Sequence, residues 1–162
     1  MPSKSTSKTN QKVNPLRDKI LATGLDILCL QGLEDLHART IAQVLKVNHA
    51  SVHYYFRTRQ DLIRAVTVLL LADFKRSTEE VAKAKDADCM RLYVERTEAA
   101  LDRSGLAIPS LLAATAADAE LRELWANHLR EQTALVQELV ERTRNADVRI
   151  RKGPLRDGQR RR

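Results

Sequence analysis

Apolar residues recur every three or four positions along almost the whole of the 162-residue chain, from Ile20 to Val140. This period places them on one face of an α-helix, whereas a half-buried strand would require strict alternation. The chain has only 5 Gly and 4 Pro, too few for the many turns of a β-sandwich or barrel. We therefore expect an all-α protein that is large enough to bury a core without disulfides or metal ions.

Helix start and stop signals divide this pattern into seven helices. Asn14 precedes a proline and forms a helix start, and Gly32 ends the first helix as a C-terminal glycine. Thr58 and Asp61 form a capping pattern, and Asp118 is placed to cap the last helix. The predicted helices cover about residues 15–31, 38–45, 49–55, 59–84, 89–103, 108–116 and 119–144.

The net charge of +7 is unevenly distributed along the chain. Residues 1–16 contribute +3, residues 36–64 contribute +4 and residues 142–162 contribute +7, while residues 65–141 carry −5. An acidic body with three basic segments is suited to a polyanionic partner at those segments. For the two termini, basic tails that only aid solubility are the alternative.

The segment most informative about function is residues 38–56, which read ARTIAQVLKVNHASVHYYF. Two short helices joined by a tight turn predict a helix-turn-helix, in which the small Ala42 allows the helices to approach closely. Asn48 is placed to cap the second helix, whose first turn then faces outward. That turn has small and polar residues that can enter a major groove beside base edges: His49, Ala50 and Ser51.

Further side chains around this motif are predicted to contact DNA. Tyr54 and Tyr55 carry hydroxyls that can donate to phosphates, and Arg59 begins the next helix, where the helix dipole also favours an anion. We expect the base-reading residues to be His49, Ala50 and Ser51, with Tyr54 and Arg39. We expect the phosphate contacts to come from Thr40, His53, Tyr55 and Arg59, with Asn48 as the helix cap and the N-terminal lysines in support.

Residues 17–66 resemble the N-terminal domain of TetR/AcrR-family transcriptional regulators. The resemblance rests on the first helix, from Ile20 to Gly32, and on four short runs: Arg39-Thr40-Ile41-Ala42, Val47-Asn48, Val52 to Phe56, and Thr58-Arg59 followed by Leu62. It implies a three-helix DNA-binding head on a helical body. In the family, the body usually binds a small ligand and dimerises, and ligand binding usually releases the DNA, as in a repressor.

The chain departs from the family pattern at four positions in the head. His37 stands where the family has a capping Thr, His53 replaces a Tyr, and Arg59 replaces a Lys. Lys46 stands at the turn glycine, a position that tends to require positive φ, so the turn is expected to be strained. The body is also shorter than usual, as expected of a natural short variant or of a truncated or frameshifted chain.

We expect four segments along the chain: a disordered basic arm (1–14), a helix-turn-helix DNA-binding domain (15–62), a shortened helical body for ligand binding and dimerisation (63–145), and a disordered basic tail (146–162). The last helix carries more apolar residues than a small body covers, which predicts a weak homodimer on palindromic double-stranded DNA. Those residues are Leu121, Leu124, Trp125, Leu129, Leu135, Val136, Leu139 and Val140. The rival interpretation is a helical interaction protein, or a truncated regulator that needs a partner to dimerise and bind DNA.

Three side chains near the start of the last helix can line a pocket for a small-molecule effector: Leu121, Trp125 and His128. A stripe at this spacing is also typical of a plain core, so both interpretations stay open. No nucleophile-elbow or phosphate-loop motif occurs, and we therefore expect neither an enzyme nor a cofactor.

Several other residues are assigned no special chemistry. His49 and His53 are four residues apart, but no third ligand is evident nearby, so we expect no metal site. Cys29 and Cys89 are expected to be reduced core thiols of a cytoplasmic protein. The longest apolar run, residues 65–72, is far shorter than a membrane span, and no membrane partner is expected.

Overall fold

The structure is a computed structural model that describes residues 14–151 of the chain, with side chains described through residue 148. The described residues form seven α-helices and a short 3-10 helix and contain no strand, which confirms the all-α prediction. The predicted arm at 1–14 and tail at 146–162 lie mostly outside them. In chain order the helices are α1 (Pro15–Gln31), α2 (Ala38–Leu45), α3 (His49–Tyr55), α4 (Arg59–Glu79), the 3-10 helix (Val81–Lys83), α5 (Cys89–Ser104), α6 (Ala107–Ala114) and α7 (Ala119–Arg151).

The first three helices begin and end where the sequence predicts. Gly32 follows α1 with a φ of 87°, and the Asn48 side chain caps α3 by accepting a hydrogen bond of 2.8 Å from the Ala50 N–H. Thr58 and Asp61 form a complete capping box at the start of α4. These signals join residues close in sequence, so the sequence alone is sufficient to place the helix ends.

Helix α4 is shorter than predicted, ending at Glu79 instead of near residue 84. The chain then forms a 3-10 turn that buries Val81 in a second, smaller core with Cys89 and Leu139. A straight continuation of α4 would carry Val81 past these partners. The buried contacts therefore end the helix, and they involve residues far away in the sequence.

Helix α7 is longer than predicted and continues to Arg151. The expectation of a disordered tail is therefore wrong for residues 146–151. Ala146 is buried, and Arg142 donates from its Nε to the Asp86 carboxylate at 2.9 Å. These contacts hold α7 against the segment before α5 near its C-terminal end, although residues 145–151 show little apolar periodicity.

One continuous hydrophobic core joins the predicted head to the predicted body. Helix α4 is shared by both, because it packs against α1 on one side and against α5 and α7 on the other. The boundary expected between residues 62 and 63 falls inside this helix, and the division into two domains stays a prediction. Fully buried members of the core come from six helices and the loop before α2: Ile20, Leu28, Leu36, Ile41, Val52, Leu62, Val66, Leu111 and Leu121.

An ion pair fastens the start of α7 to α4. Arg64 donates two hydrogen bonds of 3.0 Å to the Asp118 carboxylate and one of 2.6 Å to Glu120. The same Asp118 carboxylate accepts from the Leu121 N–H at 3.0 Å, so the predicted cap of the last helix is confirmed. The hydrogen bonds from Arg64, followed by that of the Leu121 N–H, hold the pKa of Asp118 below its ordinary value.

The turn between α2 and α3 places Lys46 in the left-handed region, with a φ of 55° and a ψ of 40°. Among the described residues it is the one non-glycine residue with positive φ, which confirms the strain expected there. The conformation is kept because the Lys46 and Val47 N–H groups donate to carbonyls at the end of α2.

A Lys46→Gly variant is expected to unfold at higher urea concentration than the wild type, with a gain of about 0.5–1 kcal/mol in the free energy of unfolding. Glycine adopts positive φ without a Cβ penalty, which outweighs its greater freedom in the unfolded chain. Lys46→Ala is the control, because it removes the charge but keeps the strain. A destabilised glycine variant would contradict this interpretation.

Both cysteines are free thiols associated with apolar clusters. Cys89 is buried in the smaller core, and Cys29 is partly buried against the main core. No helix in the described part of the chain is long and apolar enough to cross a membrane.

Candidate nucleic-acid interface

Helix α3 presents its first turn to solvent, as the helix-turn-helix pattern predicts. His49 and Ala50 are exposed, Ser51 is half-exposed, and Val52 is fully buried beneath them. Tyr54, one helical turn further along, is 79% exposed. A short helix seated on one buried valine with small and polar residues outward has the shape that a major groove admits.

The imidazoles of His49 and His53 pair with each other on the surface of α3. Their Nε2 atoms are 3.1 Å apart, and the rings meet edge to face with centroids 4.3 Å apart. One ring must therefore donate and the other accept, which couples the two rings as a unit. Within residues 14–148 no group of three or more His, Cys, Asp or Glu side chains is arranged to hold a metal ion.

A half-open cleft of about 380 Å³ lies between the start of α2, α3 and the start of α4. His37 is the N-cap of α2, but its side chain makes no capping hydrogen bond, so the amides of the first turn lack a side-chain acceptor. Such a helix start is suited to a phosphate oxygen. Five predicted contact residues come together around this cleft, together with His37 and Thr58: Arg39, Thr40, His49, His53 and Arg59.

The structure changes the role expected of Arg59. Its Nη2 donates to the Leu33 carbonyl at 2.6 Å and its Nε donates to the Leu36 carbonyl at 3.2 Å. The guanidinium thus ties the loop between α1 and α2 to α4 and has fewer donors left for a phosphate. Arg59 lines the cleft, but the geometry assigns it to positioning the start of α2.

Tyr55 also differs from its expected role. Its hydroxyl donates to the Asn14 side chain at 3.0 Å, and its ring is half-buried against the main core. Asn14 occupies the N-cap of α1, but its side chain makes no capping hydrogen bond. Of the two tyrosines, only Tyr54 presents its ring and hydroxyl openly to a ligand on the surface.

Three cations surround this surface without a counter-charge. Arg39, Lys46 and Arg57 are exposed, and no carboxylate among the described residues lies within ion-pairing distance of them. Sequence reasoning counted Lys46 and Arg57 in the basic segment but did not name them as contacts, and it treated His37 only as a departure from the family. The signal that could have identified Lys46, Arg57 and His37 as candidate contacts is their closeness in sequence to the helix-turn-helix motif.

The three residues predicted to line an effector pocket do not share one environment in the structure. Leu121 and Trp125 are buried in the main core, and the Trp125 Nε1–H has no hydrogen-bond partner within the described residues. His128 instead lines a shallow groove of about 180 Å³ between α4 and α7. Burial of the side chains in the core favours the plain-core alternative for Leu121 and Trp125, and the ligand role stays a prediction.

Acid is expected to destabilise the fold through His128. Burial lowers its pKa, and this outweighs the opposing effect of Glu131. Between the lowered folded pKa and the ordinary unfolded value, the unfolded state binds the proton more readily, so stability falls as the pH drops from 7.5 to 5.5. Urea denaturation should show a smaller loss over this range in His128→Gln, whereas the exposed His37→Gln should behave like wild type. An equal loss in both variants would contradict this role of His128.

Some of the apolar residues of α7 that predict self-association are buried within the monomer. Leu121, Trp125 and Leu139 are buried, which removes them from any dimer surface. Leu129 is 57% exposed and Val140 is 51% exposed, with the half-buried Val136 between them on the same flank of α7. The surface left for a partner is therefore a narrower stripe than the sequence suggests.

Comparison with known proteins gives one informative match. No family model matches the sequence, and no curated protein matches it. A solved structure of a proposed transcriptional regulator from Saccharomonospora viridis, in complex with choline, has a similar fold with a TM-score of 0.68. The two sequences are 18% identical, and the likeness covers 82% of this chain and 71% of the other. At this identity the comparison establishes a shared fold.

Proposed function

We propose that the chain is a DNA-binding transcriptional regulator of the TetR/AcrR type. The observation that carries the proposal is the outward first turn of α3, flanked by cations that have no ion-pair partner among the described residues and by the cleft at the start of α2. The fold shared with a proposed transcriptional regulator supports the same conclusion. In this proposal α3 enters the major groove of a palindromic operator, and the protein acts as a cytoplasmic repressor.

Separate residues would supply sequence reading and phosphate anchoring. Base edges would be read by the exposed first turn of α3 and by Tyr54 and Arg39. One phosphate would lie in the cleft, held by the α2 amides, Thr40 and His53. Neighbouring phosphates would be held by Lys46 and Arg57, which have no competing ion pair among the described residues.

Dimer formation and an effector complete the proposal. One head reads only a few base pairs, so tight binding needs two heads held about one DNA turn apart by a two-fold dimer. The stripe of Leu129, Val136 and Val140 on α7 is the proposed contact between copies. The protein of similar fold was solved with choline, a small organic cation, which supports a small-molecule effector that releases DNA here.

The decisive experiment is selection of genomic DNA fragments by the purified protein at about 0.15 M salt, followed by footprinting of the retained sequence. A specific complex that survives this salt supports the regulator. Binding to any DNA, lost when residues 152–162 are removed, would favour the helical interaction protein instead. No DNA binding under any condition would overturn the proposal.

Substitutions should separate the two kinds of contact. His49→Ala and Ser51→Ala should each cost about 1–3 kcal/mol at one base pair and relax the preference there. Arg57→Ala should weaken binding to all sequences alike and reduce the salt slope by about 1. Titrations of the operator and of single-base variants would measure both effects, with exposed Arg91→Ala on α5 as the control. A change of sequence preference in the Arg57 variant would contradict its role.

A further inference from the structure

Two imidazoles on the outer face of α3 converge on one point in space. The Nε2 atoms of His49 and His53 are 3.1 Å apart, whereas the ring centres are 4.3 Å apart, so the rings approach each other with their Nε2 edges. Both side chains are exposed, and they lie one helical turn apart on the same face. The pair is therefore a preformed arrangement of two nitrogen donors that solvent can reach.

The separation of the two nitrogens matches the geometry of a metal chelate. A divalent transition-metal ion binds an imidazole nitrogen at about 2.0–2.1 Å, so two nitrogens that share one ion at an angle of about 95–110° lie about 3.0–3.4 Å apart. The observed distance falls within this range, and α3 can bind an ion without a change of backbone. The proton that the free pair shares between its Nε2 atoms then moves to Nδ1 of one ring, which leaves both Nε2 lone pairs for the ion.

The donor atoms around the pair select the kind of ion. Within the described part of the chain, no carboxylate lines the cleft that contains the two histidines. Hard ions such as Mg²⁺ and Ca²⁺ take oxygen ligands, whereas neutral imidazole nitrogens suit Cu²⁺, Ni²⁺ and Zn²⁺. Arg39 and Arg59 line the same cleft and oppose every divalent cation alike, so the preference among ions comes from the nitrogen donors.

We propose that His49 and His53 chelate one Cu²⁺, Ni²⁺ or Zn²⁺ ion on the surface of α3. The sequence prediction of no metal site depended on the lack of a third ligand nearby, and this chelate does not require one. Residues 14–148 hold no group of three such ligands, so water completes the coordination and the ion is exchangeable. Two histidines four residues apart on one helical face are also the zinc-binding pair of the H-E-x-x-H motif.

An ion held by this pair changes what α3 presents to DNA. His49 belongs to the turn proposed to read bases, and an Nε2 that binds a metal can neither donate to a base edge nor accept from one. His53 is proposed to hold a phosphate through the same imidazole. The ion and the operator therefore compete for these nitrogens, and the ion weakens operator binding at the head itself. Metal binding depends only on the geometry of the pair, whereas this consequence rests on the proposed function.

The test titrates Ni²⁺ and Zn²⁺ into the full chain, purified without a histidine tag, at about pH 7.5 because metal ligands must be deprotonated. Calorimetry is expected to show binding of either ion and none of Mg²⁺. NMR spectra with Zn²⁺ should show shifts of the ring nitrogens of His49 and His53. The ring nitrogens of His37 and His128 should stay unchanged.

A swap variant, His53→Tyr with Tyr54→His, separates a chelate from single histidines. It keeps the composition but turns the second imidazole to another side of α3, so Ni²⁺ should bind about 100-fold more weakly. His49→Gln should lose as much, because either change leaves a single imidazole on this face. His37→Gln removes an exposed imidazole of the same cleft and is the matched control, which should bind Ni²⁺ like wild type.

Equal Ni²⁺ affinity in the swap variant and the wild type would overturn the proposal. So would an equally large loss in His37→Gln, or Zn²⁺ shifts confined to other histidines or to Cys29, because the pair would then not hold the ion. Operator binding is measured separately, and Ni²⁺ should weaken it where the same concentration of Mg²⁺ does not. Metal binding without DNA binding would refute only the proposed function, whereas DNA binding without metal binding would refute only this site.

Discussion

Gly105→Ala is expected to lose about 3–5 kcal/mol of unfolding free energy, enough to unfold a marginal domain. Gly105 has a φ of 49°, and a Cβ there would lie 2.4 Å from the Cys29 carbonyl oxygen. Because the obstacle is backbone, the loop must move away and break the hydrogen bond from Leu106 to Cys29. Urea denaturation followed by circular dichroism measures the loss.

Gly32→Ala is the matched control for this prediction. Gly32 also has positive φ, at 87°, but a Cβ there would meet nothing closer than Leu106 at 3.9 Å. The control variant should therefore lose only the conformational penalty, about 1–3 kcal/mol. Equal losses in the two variants would mean that the close approach to Cys29 contributes nothing, and a wild-type stability for Gly105→Ala would contradict the docking of this loop on α1.

Breaking the proposed dimer should have the largest effect on function. The double variant Leu129→Glu, Val140→Glu places two carboxylates in the exposed stripe of α7 and is expected to be monomeric. Because two linked heads gain from a high effective concentration on a palindrome, the monomer should bind the full operator about 100-fold more weakly or worse. Sedimentation equilibrium measures assembly, and an operator titration measures affinity.

The control adds the same two charges elsewhere on α7, as Ala134→Glu and Asn145→Glu, at exposed positions on a different face from the stripe and with the same spacing of eleven residues. Both double variants should keep the helical circular dichroism spectrum of the wild type, since none of the four side chains is buried in the monomer. A double stripe variant that remains dimeric would show that copies meet through another surface. A monomeric wild type that binds a single half-site would favour the partner-dependent regulator.

Features that depend on neighbours in sequence were predicted well. The ends of α1, α2 and α3, the Asn48 cap, the Thr58–Asp61 capping box and the left-handed Lys46 all follow from preferences acting within a turn of helix. The outward face of α3 also follows, because the buried Val52 fixes which residues point away from the core. The exposure of these side chains was therefore predictable without a structure, and their contact with DNA stays a prediction.

Side chains that reach distant partners were not predictable in this way. The sequence predicts phosphate contacts for Arg59 and Tyr55, but in the structure their side chains donate to Leu33, Leu36 and Asn14, which lie 23 to 41 residues earlier. A helix start favours an anion wherever it occurs, but only the folded chain shows that backbone carbonyls reach the guanidinium first. The same holds for the cleft at the start of α2, whose lining comes from three separate helices and the loops between them.

The sequence by itself determined the helical class, the helix-turn-helix and the exposed face of α3, because period and capping are local properties. Tertiary structure decided where α4 and α7 end and which apolar residues of α7 remain for a partner. Burial of Val81 shortens α4, and packing around Ala146 lengthens α7. Burial depends on which residues lie across the core, so no short stretch of sequence is sufficient to predict where these two helices end.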